Sequence, residues 1–293
     1  MIRLLFLISC SVFGILFGLT SLYFFYYPSK GILRIRELER IKTKFSHKQL
    51  KSKRLILGGS DVLYSFDTEK MNRELPIQTV NLGTNVGLGL GYLLEYGKEL
   101  AKPGDQIIAC LAYSLYTNPP YYVFSFDYYR MFDRKKLARF SFTDFIYYLF
   151  ANLAYNFSYV QREFVIGESG CYLNVRGSQL AIEKDKPLVF PTTFNVTASL
   201  SLLEEFKVYC LENQIDLAIT YPSTLEFTEY RYSAYLQQLT EYLTTNYQVI
   251  GTPEAYFVPR NKIFNSVYHI NEEGQLARTE KLIESLLERE GPR

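Results

Sequence analysis

A serine and a histidine that lie far apart in the chain are the first candidates for chemistry. Ser60 follows two glycines and residues 54–57, which predict a buried strand, so the pattern predicts a tight turn at the end of that strand. His269 is one of only two histidines in the chain. A serine hydroxyl attacks an acyl carbon when a neighbouring base takes its proton, so the pair predicts acyl transfer or ester cleavage. The alternative is structural, with Ser60 as a turn residue and His269 as a residue that precedes a helix.

The same reaction needs hydrogen-bond donors for the oxyanion that forms on the substrate. Residues 77–82 predict a second strand, which ends at Gly83. Neighbouring parallel strands bring their carboxyl ends to one edge of an α/β sheet, where ligands bind. The backbone N–H groups of Ser60 and Gly83 are therefore predicted to be the two donors, and Gly83 has no side chain that would block a substrate.

Strands and helices alternate along the rest of the chain. Further strands are predicted at 106–111, 215–220 and 248–250, and helices at 92–100, 198–213, 230–245 and from Asn271 to about Glu288. Asn271 is of a type that caps helix N-termini, and two glutamates follow it in the first turn. The alternation predicts an α/β fold, a flavodoxin-like three-layer α/β/α sandwich with a mostly parallel sheet.

The composition is that of a globular protein with balanced charge. Apolar residues make up 48% and charged residues 21%, and the net charge of +2 gives no reason to expect a nucleic-acid partner. The four cysteines form no Cys-x-x-Cys or Cys/His cluster, so we expect no metal and no organic cofactor. The sequence leaves open whether Cys171 and Cys210 form a disulfide.

The first 28 residues are predicted to form a transmembrane anchor. Residues 4–27 are almost continuously apolar, and about 20 such residues span a bilayer. The aromatic residues at 23–27 would lie at one membrane interface. A cleaved signal peptide is the competing interpretation, although its apolar region is normally shorter. A polar connector is expected at 29–52, with a short helix from Leu33 to Lys44 as one option, followed by the α/β domain at 53–293.

Two patterns disagree about the side of the membrane on which the domain lies. Six basic residues between Lys30 and Lys44 follow the apolar segment, and the positive-inside rule would place the domain in the cytoplasm. Large domains translocate largely regardless of charge, and the motifs considered below favour an extracytoplasmic domain. Both orientations therefore stay open at this point.

An aromatic-rich insertion is predicted at about 113–195, after the third strand. Tyr and Phe are concentrated between positions 113 and 159, well above ordinary usage. The insertion is expected to cover the carboxyl edge of the sheet as a helical lid packed by aromatic rings. The functional alternatives are a stacking surface for sugar rings and a membrane-facing patch.

These motifs together resemble the SGNH (GDSL-like) hydrolases. The closer resemblance is to membrane-anchored SGNH-like proteins found with exopolysaccharide and cell-wall modification systems. The likeness is carried by residues 57–67, 81–83, 102–105 and 268–274. It implies that Ser60 is the nucleophile, Gly83 an oxyanion glycine and His269 the base, on a flavodoxin-like fold.

Two features of that family are absent from the chain. The family's acid lies three residues before the histidine, where this chain has Ser266, with Asn265 beside it. Neither carries a negative charge, so a carbonyl, Asn265 or a carboxylate from elsewhere would have to orient His269. The family's oxyanion asparagine after the third strand is also missing, and Asn85 and Asn118 are the candidates to replace it.

The leading hypothesis is a single-pass membrane protein that transfers or removes an acyl group, such as acetyl, on a cell-envelope polysaccharide. Its partners would be the acylated glycan, the membrane and proteins of an envelope complex. The alternative is a catalytically degenerate SGNH-like module that binds glycan or helps to assemble such a complex. A third interpretation is a cytoplasm-facing membrane protein with an unrelated α/β domain.

Overall fold

The computed structural model describes residues 2–48, 51–159 and 163–290. Helices occupy most of the positions that the hydrophobic periodicity predicts. They are α1 Ile2–Tyr26, α2 Lys30–Lys48, α3 Ser60–Ser65, α4 Thr68–Glu74, α5 Leu90–Leu100, α6 Val123–Phe132, α7 Phe142–Ser158, α8 Ala198–Glu212, α9 Ala234–Asn246 and α10 Glu272–Glu290.

A five-stranded parallel sheet lies at the centre of the domain, in the strand order β2-β1-β3-β6-β8. Its strands are β1 Arg54–Gly58, β2 Thr79–Gly83, β3 Gln106–Cys110, β6 Asp216–Thr220 and β8 Gln248–Ile250. Short strands outside it are β4 Val165–Ile166, β5 Tyr172–Leu173, β7 Thr224–Leu225, β9 Phe257–Val258, β10 Ile263–Ser266 and β11 His269–Ile270. The central order is that of flavodoxin-like sheets, so the predicted fold class is confirmed.

Helices cover both faces of this sheet because its strands are apolar on both sides. Leu55 of β1 belongs to a core that includes Leu93 of α5 and Leu203 of α8. The next residue, Ile56, points to the opposite face and packs in a second core with Leu282 of α10. The protein therefore has the three layers that the alternating sequence pattern predicts.

The segment expected to be a polar connector forms helix α2, which is longer than the sequence suggested and partly buried. Ile32 and Ile35 belong to the main core of the domain. Lys42 is completely buried, and its Nζ donates to the carbonyl oxygens of Asn81 (2.7 Å) and Gly170 (2.9 Å). Helix α2 is thus packed into the α/β domain rather than separating it from α1.

Helix α1 is, among the described residues, the one helix long and apolar enough to cross a membrane. Its last turn is held by Arg130 of α6, whose Nη1 donates to the carbonyl oxygens of Tyr23 (2.7 Å) and Phe24 (2.9 Å). The Nη2 atom donates to the Tyr27 carbonyl oxygen at 2.7 Å. Asp127 forms a buried ion pair with the same guanidinium. A buried side chain therefore binds carbonyl groups at the end of this helix, where backbone partners become few.

The aromatic-rich region contains helices α6 and α7, which pack against each other through rings. Phe126 of α6 lies with its ring centroid 5.1 Å from that of Phe145 of α7, edge to face. Tyr148 of α7 makes the same kind of contact with Tyr122, at 5.8 Å. These contacts account for part of the aromatic content, since edge-to-face packing of rings is favourable.

Candidate active site

Ser60 is the first residue of α3, at the corner where β1 ends. The two preceding glycines are required by close approaches of the chain. A Cβ atom at Gly58 would lie 2.1 Å from the carbonyl oxygen of Cys110, and one at Gly59 would lie 2.4 Å from Cγ1 of Val86. The sharp corner predicted at this point is present, and it holds Ser60 at the carboxyl edge of the central sheet.

His269 reaches Ser60 from the β10–β11 hairpin, close to the other end of the chain. Its Nε2 lies 2.9 Å from Oγ of Ser60. Its Nδ1 lies 2.7 Å from Oδ1 of Asn265, which precedes the histidine by four residues. The register of the hairpin shifts between Ile263 and Ser266, which is the stretch that carries Asn265. The structure therefore brings together Ser60, His269 and one of the orienting groups that the sequence left open.

The Asn265 contact determines which ring nitrogen of His269 carries the proton. With Oδ1 as the acceptor, Nδ1 is the protonated nitrogen and Nε2 has the lone pair that faces the Ser60 hydroxyl. This is the tautomer that a general base for Ser60 needs. A neutral amide orients the ring in this way, as in Cys-His-Asn proteases, but it adds no negative charge.

The Tyr64 ring lies against the imidazole of His269. The ring centroids are 4.1 Å apart and the planes differ by 14°. Ser60 and Tyr64 are four residues apart on α3, so one face of that helix presents both groups to the histidine. Tyr172 and Phe264 surround Tyr64 and keep it in place. A cation over an aromatic face is attracted to it, so this stack favours the imidazolium that forms during proton transfer.

The Gly83 N–H does not fit the role of oxyanion donor that the sequence suggested. It donates to Oδ1 of Asn81 at 2.9 Å. A Cβ atom at Gly83 would lie 2.6 Å from the backbone nitrogen of Leu63, so this glycine is packed beneath α3. The sequence could not reveal this, because both the hydrogen bond and the contact with α3 depend on how the helix lies over β2.

Thr84 and Asn85 lie on the wall of the Ser60 cavity, where Gly83 was expected. The Asn85 Oδ1 accepts from Gly87 N–H at 2.8 Å, which leaves Nδ2 as the donor end of the amide. The Thr84 hydroxyl is buried and has no hydrogen-bond partner among the described residues. Asn118 instead accepts a hydrogen bond from Ser199 of α8 through its carbonyl oxygen, and it does not line the cavity in the described structure.

The cavity beside Ser60 has a volume of about 180 Å³, and six Tyr and Phe rings contribute to its lining. Its rings come from α3 and from the insertion, which includes β5, and they belong to Tyr64, Phe124, Tyr155, Tyr159, Phe164 and Tyr172. Arg34 of α2 contributes a cation to the wall, 5.7 Å from the Tyr172 ring centroid. The insertion therefore forms part of the site, and α2 does so as well.

A layer of buried polar groups lies beneath the Ser60 corner. Burial raises the pKa of Asp61 to about 7, against an ordinary value of 3.8, despite hydrogen bonds to backbone N–H groups. The Cys110 thiol lies beside it, with Sγ 3.9 Å from Oδ2 of Asp61. Arg278 is 3% exposed, and its guanidinium lies 3.5 Å from the Tyr256 ring centroid. Arg278 lies in a charged stretch of the last helix, yet it packs inward against aromatic rings.

The remaining chemistry-bearing residues form no further cluster of catalytic type in the described parts of the chain. The structure shows no group of three or more His, Cys, Asp or Glu side chains there that could hold a metal ion. Cys171 and Cys210 are both free and buried, so the disulfide left open by the sequence is not formed. Asn271 accepts from the Gly274 N–H at 3.2 Å, as expected for the cap of α10.

Comparisons with known proteins add little to this geometry. No protein-family model matches the chain, and no curated protein matches it. A solved structure described as "a putative platelet activating factor from Streptococcus pneumonia" matches with 14% identity and a TM-score of 0.42. The match covers 86% of this chain and 94% of the other. With so distant a match, the function proposed below depends on the residues around Ser60.

Proposed function

We propose that the chain is a serine-dependent esterase or acyltransferase of SGNH-like type. The observation that carries this proposal is the distance of 2.9 Å from Ser60 Oγ to His269 Nε2, with His269 Nδ1 held by Asn265. A nucleophile and a base within hydrogen-bond reach, with the base oriented by a third group, is the arrangement that nucleophilic catalysis requires.

The reaction would proceed through an acyl-Ser60 intermediate. Ser60 Oγ attacks the ester carbonyl while His269 Nε2 takes the hydroxyl proton, and the oxyanion forms. When the ester bond breaks, the leaving oxygen departs with that proton. Water or a glycan hydroxyl then attacks the acyl-Ser60 ester, gives its proton to Nε2 and releases the product as the proton returns to Ser60.

The oxyanion would be held by the Ser60 N–H and by the amide of Asn85, in place of Gly83. Support for Asn85 comes from its position on the cavity wall and from Gly87, which fixes its Oδ1 and so orients Nδ2. Loss of one such donor typically costs about 10²–10³ in rate, so the choice between Gly83 and Asn85 is measurable.

The substrate class proposed is an acylated polysaccharide of the cell envelope, with acetyl as the group transferred. The aromatic cavity of about 180 Å³ supports this choice, because it suits a short acyl chain and rings stack on sugars. Helix α1 would anchor the enzyme in the membrane, and the domain would lie on the extracytoplasmic side where such glycans occur. To test this orientation, a reporter enzyme that is active only in the cytoplasm can be fused after α10. We expect that fusion to be inactive.

The test is hydrolysis of p-nitrophenyl acetate and release of acetate from an acetylated glycan by the full chain in detergent. We expect Ser60→Ala and His269→Ala to lose activity and Ser285→Ala, a serine of α10, to retain it. A fluorophosphonate probe should label the wild-type protein and spare Ser60→Ala. Full activity of Ser60→Ala would remove the mechanism.

A non-catalytic glycan-binding module is the second candidate, and the neutral Asn265 favours it. Replacing the carboxylate of a serine-protease triad costs on the order of 10⁴ in rate where the histidine takes the wrong tautomer, whereas here Asn265 keeps the tautomer and only the charge is missing. A protein that binds the acetylated glycan but neither reacts with the fluorophosphonate probe nor hydrolyses the ester would belong to this second class.

A further inference from the structure

Helix α7 has apolar and aromatic side chains around most of its circumference, with a few short polar ones among them. Asp144 is its one acidic residue, it has no basic residue, and Asp144 is used in the capping box with Ser141. A helix of this composition is normally buried on all sides, in a large core or in lipid. Only part of α7 is covered by the rest of the described chain.

The two faces of α7 differ in what covers them. Tyr148 and Leu149 are buried against α6 and the end of α1. On the opposite face the exposed fractions are 40% for Ile146, 63% for Tyr147 and 56% for Phe150. These three residues are spaced as neighbours on one helix face, and no charged residue interrupts them. The outer face is thus a continuous apolar surface in contact with solvent.

The position of α7 in the fold indicates what covers this surface. The Phe145 ring centroid lies 5.3 Å from that of Phe24, in the last turn of α1. Near the other end of α7, Asn156 accepts a hydrogen bond from the backbone N–H of Lys30 at 3.1 Å. Both ends of α7 therefore contact the short segment where the chain passes from the membrane-spanning candidate α1 into α2.

The residues just before α7 carry the opposite charge to anionic lipid headgroups. The 3-10 helix Arg134–Arg139 has four basic residues. Arg134 and Lys135 are exposed, and the Arg134 Nη2 donates to the Phe25 carbonyl oxygen at 2.9 Å. Basic side chains beside an apolar helix face are typical of helices that lie in a membrane interface.

We propose that the outer face of α7 lies in the boundary between headgroups and acyl chains of the membrane that α1 crosses. Tyr155 of α7 and Tyr159 also line the Ser60 cavity, so the mouth of that cavity would open at the lipid surface. The placement of α7 stands independently of catalysis. If Ser60 acts as proposed above, the acyl donor reaches it from the membrane, as a lipid or a lipid-linked compound.

The protein contains no tryptophan, so a single introduced tryptophan reports on α7 without background. We would place the full-chain variants F150W and Y147W in vesicles of anionic phospholipid whose acyl chains carry bromine, a contact quencher. The matched control is L211W on α8, where Leu211 is 79% exposed and far along the chain from α1. Fluorescence is compared with that in the same vesicles without bromine.

We expect strong quenching in F150W and Y147W and little in L211W. Equal quenching in all three variants, or none in F150W and Y147W, would overturn the proposal. Blue-shifted emission that bromine does not quench would also overturn it, since a protein partner or a second copy would then cover the face. Tryptophan quenching does not depend on ester hydrolysis. The placement of α7 and the proposed enzyme activity can therefore fail independently of each other.

Discussion

The catalytic candidates form a site in which the charge of a triad acid is replaced by neutral groups. Asn265 sets the tautomer of His269, and the Tyr64 ring lies 4.1 Å from the imidazole centroid. The first contact supplies orientation and the second supplies an attraction for the imidazolium. Neither contact supplies the negative charge of a carboxylate, so we expect any ester cleavage at Ser60 to be slow.

Replacing Asn265 with aspartate should raise kcat/KM about ten-fold, because a charged hydrogen-bond partner is worth about 1–1.5 kcal/mol more than a neutral one. The same charge raises the His269 pKa, so the acidic limb of the pH–rate profile should move to higher pH. The measurement is the pH dependence of p-nitrophenyl acetate hydrolysis.

Ser266→Asp is the control for this change. It places the same charge one residue away, at the position where the family resemblance expects an acid. Ser266 pairs with His269 across the hairpin, but Nδ1 is bonded to Asn265, so the gain should be smaller. An equal gain in Ser266→Asp, or a loss of activity in Asn265→Asp, would contradict the role given to Asn265.

At the scale of elements, the site is defined by two connections: the corner between β1 and α3, and the β10–β11 hairpin. The corner could be predicted from sequence, because an apolar run followed by two glycines specifies it locally. The sequence identified Ser60 and His269 as separate candidates. It could not show that they are in contact, because that contact depends on the β10–β11 hairpin. Asn265 was one of several open choices, because the bulge that brings it to Nδ1 leaves no local signal in the sequence.

Replacing Gly58 with alanine should destabilise the protein by about 3 kcal/mol or prevent folding, because the new Cβ would lie 2.1 Å from the Cys110 carbonyl oxygen, a backbone atom. Gly97→Ala, within α5, is the control. Its Cβ would meet only the ends of two side chains, Leu57 at 3.2 Å and Phe206 at 3.6 Å, and the gain in helix propensity is about 0.5–1 kcal/mol. Thermal unfolding measures both, and equal effects would show that the corner tolerates a side chain.

Long-range packing explains the other differences between prediction and structure. Helix α2 was expected to be a solvated connector because of its many charges, yet it contributes Ile32 and Ile35 to the core and Arg34 to the cavity. Arg278 likewise sits in a charged stretch but is buried against the Tyr256 ring. In both cases the inward-facing residues are a minority on a polar helix, and only the tertiary structure identifies them.

At the scale of the whole molecule, the buried Asp61 couples stability to pH. Its pKa is about 7 in the folded protein against 3.8 ordinarily. Between about pH 4 and 7 the unfolded chain loses this proton while the folded chain keeps it, so stability falls as pH rises through that range.

The free energy of unfolding of wild-type protein should therefore fall between pH 5 and 7, and Asp61→Asn should show a smaller fall, by an amount on the order of a few kcal/mol. Denaturant unfolding at each pH is the measurement. The pH range ends at 7 because burial lowers the pKa of Lys42 to about 7. Above that pH, this lysine makes the free energy of unfolding rise with pH, which would mask the effect of Asp61. Parallel curves for the two proteins would show that Asp61 ionises normally.

The hydrogen bonds from Arg130 to the last turn of α1 have a consequence for the distance between Ser60 and the end of that helix. Its guanidinium binds the Tyr23, Phe24 and Tyr27 carbonyl oxygens, and α2 continues directly into the core. No long flexible linker therefore separates α1 from the domain, since α1 ends at Tyr26 and α2 begins at Lys30. If α1 spans the membrane and Ser60 is the nucleophile, the serine hydroxyl would lie at a fixed distance from the bilayer, and that distance would restrict which ester groups of a substrate can reach it.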